Sequence, residues 1–260
     1  MRVKQFAIGT VVNSIEQYRA FKESFIAAGF TEDHCSYTVF DNTKSNAHEP
    51  YAAFNALQAA TTEPYLILCH QDVLADQGHG YPELLAIIEQ LDRIDPSWAI
   101  AGNAGCDARM QLIRHINDRH GNETHVAEPI RVVSLDENFL LIKRAAGLTC
   151  EHGISGFHLY ATYLCLQAAR KGQGSYVIGF SLTHTGKGAI DRSYYEIEHD
   201  VEDQMGGDYG FRVVRTPSGS LVLSRHPLLR KMLRNQRVRN AIVWRVAHLR
   251  QRRISQANPA

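Results

Sequence analysis

The chain has 260 residues, of which 44% are hydrophobic and 21% charged, ordinary values for a globular protein. They exclude a disordered, collagen-like or coiled-coil chain, and the length suits one large α/β domain with or without an appendage. The net charge of +1 hides a division, because residues 209–260 hold 12 of the 28 Lys and Arg and none of the 27 Asp and Glu. We therefore expect an acidic domain over 1–208 and a basic amphipathic extension over 209–260.

The five cysteines are widely spaced and include no Cys-x-x-Cys pair, which disfavours a zinc ribbon and a disulfide framework. We expect them to be buried free thiols in a reducing cytoplasm. The apolar run at 6–12 is short and predicts a first strand rather than a signal peptide. No run approaches the roughly 20 apolar residues of a membrane-spanning helix. The sequence therefore predicts a soluble cytoplasmic protein, attached at most to the inner face of a membrane.

The first hundred residues alternate between strand and helix patterns. Strands are predicted at 6–12, 37–40, 65–69 and 98–101, and helices at 15–28, 51–60 and 82–94. Ser14 and Pro82 are favourable residues for the first turns of two of these helices. The order predicts right-handed crossovers, a mainly parallel central sheet and helices on both of its faces.

The remainder is less regular. Two strands are predicted at 131–135 and 138–143, a helix at 156–171, a strand at 175–183, and a basic amphipathic helix or helix pair at 227–253. The segment 192–210 is polar and acidic, and no element is predicted there.

Polar residues stand at the ends of several predicted strands. Asp41 follows the second strand, His70 and Asp72 follow the third, and His184 follows a later one. Any one of them could simply cap a turn or a helix. Ligands of open parallel sheets bind beyond the carboxyl ends of the strands, so together these residues predict a ligand site.

Residues 40–46 (FDNTKSN) resemble the turn after the second strand of GT-A glycosyltransferases, and residues 65–73 (YLILCHQDV) resemble the strand and Asp-x-Asp-type motif of that fold. The segments 139–148, 156–160 and 182–184 resemble later blocks of a bacterial "glycosyltransferase-like" branch of family 2. The resemblance covers roughly residues 3–190. It implies a GT-A-type α/β fold, a nucleotide-sugar-binding and catalytic domain over 1–208, and an enzyme of the hexosyltransferase type. Such an enzyme moves a sugar from a nucleoside diphosphate-sugar to a hydroxyl acceptor, here on a lipid-linked or polysaccharide precursor of the cell envelope.

The resemblance also implies roles for individual residues. Asp72 and His184 would bind Mn²⁺ or Mg²⁺, which neutralises charge developing on the diphosphate. His70 stands where the motif usually has its first acid, so it is either a donor contact, a further ligand or a supporting group. Lys187 could contact the diphosphate or be an exposed turn lysine. The donor-binding residues are expected to be Asp41, Asn42, Asn46, His70, Gln71 and Lys187.

An inverting transferase also needs a base for the acceptor hydroxyl, usually Asp or Glu. Family 2 enzymes commonly place it near the start of the predicted helix 156–171, where this chain has no carboxylate. Glu151 is the first candidate and His158 the second, although a purely structural Glu151 is an alternative.

Several binding partners are compatible with the sequence of the basic segment 225–260. Its apolar residues recur at three- and four-residue steps between arginines, a pattern typical of a helix on an anionic membrane surface. Packing against the acidic body or against a second copy is an equal alternative. Nucleic acid is not expected, because no groove-reading or aromatic-basic motif accompanies the charge.

Two other functions remain open at the sequence level. One is a non-catalytic nucleotide-sugar-binding protein, suggested by the missing acid at the helix start. The other is a metal-dependent phosphoesterase using His70, Asp72 and His184.

Overall fold

The computed structural model describes residues 3–119, 121, 124–151, 153–186 and 192–257. The strands in these residues are β1 Phe6–Val12, β2 Cys35–Asp41, β3 Tyr65–Cys69, β4 Val73–Ala75, β5 Trp98–Gly102, β6 Ala104–Cys106, β7 Leu112–Arg114, β8 Ile130–Val132, β9 Ser134–Leu135, β10 Phe139–Lys143, β11 Gly174–Val177, β12 Leu182–His184, β13 Arg212–Arg215 and β14 Ser220–Leu223.

The helices are α1 Ile15–Ala27, α2 Pro50–Ala60, α3 Tyr81–Ile94, α4 Tyr160–Arg170, α5 Arg192–Met205, α6 Pro227–Leu233 and α7 Gln236–Ala257, with short 3₁₀ turns at Arg144–Ala146 and Gly206–Asp208. The acidic segment for which the sequence predicted no element thus forms α5, and the basic segment forms the pair α6 and α7.

The central sheet has the strand order β2-β1-β3-β10-β5-β11-β8. Strands β2, β1, β3, β5 and β11 run in one direction, whereas β10 is antiparallel to both of its neighbours and β8 is antiparallel to β11. The predicted sheet is therefore largely right, but it is mixed. The two strands predicted at 131–135 and 138–143 do not pair with each other, because β10 inserts between β3 and β5.

Helices cover both faces of this sheet, as the sequence predicts. Successive residues of a strand point to opposite faces, and in β3 Leu66 and Leu68 enter one hydrophobic cluster while Ile67 and Cys69 enter the other. The first cluster is covered by α2, α4 and α5 and the second by α1 and α3. The five cysteines are buried and free, in agreement with the expectation from their spacing.

The strand predicted at 175–183 is interrupted. Its first part forms β11 in the central sheet, and its last part forms β12, which pairs with β4 in a separate two-stranded sheet. The chain turns at Gly179, where an added Cβ would collide with the carbonyl oxygen of Val126. The interruption carries His184 away from the central sheet and next to the segment that follows β3.

The C-terminal segment packs on the rest of the protein. One side of the β13–β14 hairpin contributes Val214, Leu221 and Leu223 to the main core. The other side contributes Val213 and Val222 to a small cluster that α6 and α7 cover. No helix in the described part of the chain combines the length and the apolar character needed to cross a bilayer.

Candidate metal and donor site

A short two-stranded ladder brings His184 beside Asp72. Strand β3 ends at Cys69, and His70, Gln71 and Asp72 connect it to β4. In the antiparallel pairing of β4 with β12, His184 lies opposite Val73, the residue after Asp72. The backbone N–H of Thr185 donates to the carbonyl oxygen of Asp72 over 2.9 Å, which extends this register by one residue.

His70, Asp72 and His184 form a compact cluster. Their potential ligand atoms all lie within 4.8 Å of one another, and each side chain is half-buried. Asp72 Oδ1 is 3.4 Å from His184 Nε2 and 3.9 Å from His70 Nδ1. The carboxylate oxygen suits Mn²⁺, which also accepts imidazole nitrogen, and three protein ligands leave positions open for phosphate and water. The residues present therefore fit a divalent cation, with His70 as the third ligand.

The charge states of Asp72 and His70 are those that metal binding requires, whereas His184 would have to give up its proton to a cation. Burial acts to raise the pKa of Asp72, but the hydrogen bond from His184 and the nearby histidine charges outweigh it and lower that pKa. The hydrogen bond to Asp72 raises the pKa of His184. Burial lowers the pKa of His70. Asp72 is therefore an anion and His70 neutral near pH 7, and both states are those of a metal ligand.

Tyr160 fixes the orientation of the His70 ring. The Tyr160 hydroxyl donates its proton to the carbonyl oxygen of Glu137 over 3.0 Å, and its oxygen lies 3.0 Å from His70 Nε2. The hydroxyl has only one proton, so His70 Nε2–H is the donor in the second contact. Nδ1 then carries the ring's lone pair on the side of Asp72, as a metal ligand requires.

The loop after β12 lies against the cluster at Gly186. A Cβ at this position would collide with Asp72 Oδ2 and lie 2.9 Å from His184 Nε2, so only glycine allows this approach. Lys187, predicted to contact the diphosphate, is the next residue and lies outside the described residues.

Gln71 joins the cluster segment to the loop after β1. Its Oε1 accepts hydrogen bonds from the backbone N–H groups of Asn13 and Ser14, over 2.9 and 3.0 Å. Its Nε2 donates to the side chains of Asn13 and Gln17. The side chain predicted to contact the donor therefore positions the loop that precedes α1.

Asp41 lies at the same edge of the sheet as the cluster, since β1, β2 and β3 are parallel and Asp41 pairs with Val12, the last residue of β1. Asp41 is exposed and its Oδ1 accepts from the hydroxyl and the backbone N–H of Thr43, which lower its pKa. Asn42 is buried and forms two hydrogen bonds with the backbone of His48. Asn46 is exposed. Of the three residues predicted to bind the donor in this turn, Asp41 and Asn46 are accessible and Asn42 is not.

The structure does not bring Glu151 to the cluster. Its carboxylate contacts Gln167 and Arg170 in the C-terminal half of α4 and Gln204 in α5. Tyr160, the α4 residue that contacts His70, is in the first turn of that helix. This position argues against the role of base that the sequence suggested for Glu151.

His158 precedes α4 and lies on the cluster side of the protein. Its ring is 5.6 Å from that of Tyr194, and its carbonyl oxygen accepts a hydrogen bond from Tyr51.

Sequence reasoning missed Asp136 and Glu137. They precede β10, whose Phe139 pairs with Cys69 at the end of β3, and the backbone N–H of His70 donates to the carbonyl oxygen of Asn138. Glu137 Oε1 accepts a hydrogen bond of 2.6 Å from the backbone N–H of Leu159, immediately before α4. Burial raises the pKa of Glu137 to about 8, with a further contribution from the charge of Asp136. The carboxylate of Glu137, which precedes β10, therefore lies at the start of α4.

No family model matches the chain. It is 32% identical over 226 residues to the protein named "ATP synthase subunits region ORF 6" from Fuscovulum blasticum, covering 84% of this chain and 90% of that protein. The chain belongs to the ORF 6 family. The name of this relative states no biochemical activity.

The ORF 6-family chain shares its fold with solved glycosyltransferases. TarS 1–349 of S. aureus, in complex with UDP-GlcNAc, superposes with a TM-score of 0.52 over 77% of this chain at 10% identity. The same TarS fragment in complex with UDP gives a TM-score of 0.51. The matches span 66% and 65% of the TarS fragment, just under two thirds of its length. At this identity the likeness shows the fold alone, which is of the GT-A type.

Proposed function

We propose that this protein is a metal-dependent glycosyltransferase that moves a sugar from a nucleoside diphosphate-sugar to a hydroxyl acceptor, on a lipid-linked or polysaccharide precursor. The observation that carries the proposal is the cluster of His70, Asp72 and His184. It lies beyond the carboxyl ends of the strands of a GT-A-type sheet, where ligands of such sheets bind.

Each part of the site has a role in this proposal. His70 Nδ1, Asp72 and His184 Nε2 would hold Mn²⁺ or Mg²⁺. The cation would supply positive charge for the diphosphate leaving group. Asp41, at the same edge of the sheet, would bind the nucleoside. Lys187 follows the glycine that lies against Asp72 and would contact the diphosphate, and Gln71 would hold the loop after β1 in place.

We assign the role of acceptor base to Glu137 rather than Glu151. Glu137 lies against the start of α4 and lines a narrow cleft together with Asp136. Its pKa near 8 lets it take a proton from a hydroxyl close to neutral pH. His158, two residues before α4, stays the second candidate.

A non-catalytic binding protein of the same fold is the second candidate function. The observation that favours it is the composition of the first turn of α4, Tyr160–Tyr163, which has no carboxylate. A protein of this kind would bind nucleotide-sugar and cation but would release no nucleoside diphosphate.

A thermal-shift panel tests the nucleotide binding that both functions require, and release of nucleoside diphosphate from the donor then separates the transferase from the non-catalytic protein. The panel contains Mn²⁺ alone and Mn²⁺ with UDP, GDP, UDP-GlcNAc or GDP-mannose. A ligand that binds only the folded state at 100 times its Kd adds about 2.7 kcal/mol to the free energy of unfolding. We expect nucleotide stabilisation that requires Mn²⁺ and disappears in Asp72→Asn. Stabilisation by no nucleotide would contradict both nucleotide-binding functions and leave the phosphoesterase as the remaining function of the cluster.

We also propose that α6 and α7 attach the protein to an anionic membrane surface. Support comes from large apolar side chains that are exposed beside basic ones: Leu228 is 79% exposed, Met232 59% and Trp244 67%. The basic side chains of Lys231, Arg237 and Arg245 are exposed on the same two helices. Surface attachment would bring the enzyme to a lipid-linked acceptor.

A further inference from the structure

A cavity of about 380 Å³ lies between α5, the β13–β14 hairpin and α7, outside the metal cluster. One wall is aromatic, formed by Tyr194 and Tyr195, whose rings are 5.6 Å apart at an angle of 86°. The remaining walls are mostly polar. They include Glu198, Thr216, Ser218, Gln236, Arg239 and Asn240.

The cavity continues toward the proposed base. A narrow cleft shares the wall residues Tyr194, Thr216, Pro217 and Ser218 with the cavity, and its far side is formed by Asp136, Glu137, Leu159 and others. The Tyr194 hydroxyl lies 3.3 Å from Thr216 Oγ1 at the junction. The cleft has a volume of about 10 Å³, enough for one hydroxyl-sized group between the cavity and Glu137.

Three charged side chains of the cavity, Glu198, Arg215 and Arg239, already have partners within the protein, and Arg215 Nη1 donates to the carbonyl oxygen of Met110 over 2.7 Å. Arg239 is 2% exposed. Its guanidinium contacts the carboxylate of Glu198, the carboxylate of Glu202 and the carbonyl oxygen of Ser220. Because its guanidinium is occupied in this way, it does not offer a phosphate an unshared positive charge. Glu198, also 2% exposed, has its Oε2 3.0 Å from Arg239 Nη2, so its charge is likewise paired within the protein.

Amide and hydroxyl groups around an aromatic wall are groups that bind sugar rings, because hydroxyls need both donors and acceptors while the ring's C–H face packs on an aromatic side chain. We propose that the cavity binds the acceptor as a glycan end and directs its reacting hydroxyl through the cleft to Glu137. This inference rests on the proposed function. It adds that the acceptor is a saccharide and that the C-terminal segment selects it.

The test uses the full chain with Mn²⁺ and UDP and measures binding of a saccharide panel by saturation-transfer NMR. The panel holds glucose, galactose, mannose, N-acetylglucosamine and their disaccharides. Tyr195→Ala and Asn240→Leu change exposed cavity residues that lie outside the core. Arg237→Ala is the control, an exposed α7 residue that does not line the cavity. Thermal shifts with UDP are recorded for every variant.

We expect a saccharide to bind the wild type and Arg237→Ala, and to bind Tyr195→Ala and Asn240→Leu about tenfold more weakly, with the UDP shift unchanged. The inference would be overturned if the wild type bound UDP but no saccharide, or if both cavity variants bound the saccharide normally. A wild type without a UDP shift would contradict the donor site. In that case saccharide binding is measured without nucleotide. Weaker binding by Tyr195→Ala and Asn240→Leu would still support a saccharide site in the cavity.

Discussion

Asp72 is the residue on which the candidate metal site depends. Both histidines approach its Oδ1, and the ladder of β4 with β12 fixes its position relative to His184. Tyr160 presents the Nδ1 of His70 to the same point. A cation placed there would be bound by groups that other contacts already orient, which lowers the entropic cost of binding.

Asp72→Asn and His184→Ala should each weaken Mn²⁺ binding. Loss of a group that only supports a metal ligand commonly costs about 10–100-fold in affinity, and loss of a ligand should cost at least as much. Electron paramagnetic resonance of free Mn²⁺ in a titration measures the affinity. His226→Ala, an exposed histidine far along the chain, is the control and should bind like the wild type. Equal affinity of all four proteins would place the metal elsewhere.

Glu137→Gln should reduce turnover by about 10²–10⁴-fold, the usual contribution of a general base. The amide keeps an oxygen for the hydrogen bond from Leu159, so the start of α4 should stay in place. Release of nucleoside diphosphate measures turnover, and the Mn²⁺-dependent nucleotide shift should be unchanged. Glu151→Gln is the matched control and should retain turnover, because the Glu151 carboxylate contacts the C-terminal half of α4 and Gln204 in α5. Lost turnover in Glu151→Gln with normal turnover in Glu137→Gln would instead assign the role of acceptor base to Glu151.

The pH profile provides a second test of Glu137. A base acts when it is deprotonated, and the raised pKa of about 8 means that the active form increases as the pH rises through that value. Turnover of the wild type should therefore increase between about pH 7 and 9 and then level off. A wild-type profile that is flat from pH 6 to 9 would exclude a base with this pKa.

At the scale of elements, the direction of β10 explains why some site residues were predicted from the sequence and others were missed. The residues after parallel strands were identifiable because they lie at the carboxyl edge, and His70, Asp72 and Asp41 do lie there. Asp136 and Glu137 come before a strand, which in a parallel sheet would place them at the opposite edge. Because β10 is antiparallel, its start reaches the carboxyl edge instead, and no local pattern in the sequence reveals that reversal.

The position of Glu151 was also beyond sequence reasoning. Glu151 is close to α4 along the chain, but the loop between them places it beside the C-terminal half of the helix. Gln167 and Arg170 contact it there. The third metal ligand was only partly predictable, since the role of His70 depends on the long-range contact of Tyr160 with Glu137. In contrast, the capping of α1 by Ser14, which accepts from the backbone N–H of Gln17, follows from local sequence and is confirmed.

Helix α7 is joined to α5 by a buried ion pair. Arg239 contacts Glu198 and Glu202, and all three side chains are at most 3% exposed. Removing one partner of a buried pair leaves an uncompensated charge, so Arg239→Ala should lower the free energy of unfolding by about 3–5 kcal/mol. Arg237→Ala, exposed on the same helix, should change it by at most about 0.5 kcal/mol. Urea titrations of both variants measure the difference, and equal midpoints would mean that this contact does not hold α7 to the body.

At the scale of the whole molecule, the separation of charge along the sequence has two consequences. Part of the basic segment pairs with the acidic body, as in the contacts of Arg230 and Arg234 with Asp203. This matches the expectation that the segment packs on the body. Other basic residues and the apolar side chains of Leu228, Met232 and Trp244 face outward, so the same helices also retain a surface suited to an anionic membrane.

Trp244 reports on membrane binding, because the second tryptophan, Trp98, is only 1% exposed. With vesicles that contain phosphatidylserine, Trp244 emission should shift to shorter wavelength and the protein should sediment with the vesicles. Both effects should decrease at high salt, since each basic residue near the surface contributes about 1 kcal/mol by an electrostatic attraction that salt screens. The double variant Leu228→Ser, Met232→Ser should bind less, and vesicles of neutral phosphatidylcholine are the control. No sedimentation of the wild type at low salt would contradict the membrane proposal.

The position of the cation is the most direct test of the account. Crystals grown with Mn²⁺ and UDP, measured at a wavelength where manganese scatters anomalously, would locate the ion independently of any fitted coordinates. We predict an anomalous peak among His70 Nδ1, Asp72 and His184 Nε2, with diphosphate oxygens completing the coordination. UDP bound without a peak at these three residues, or a manganese peak elsewhere, would contradict the account.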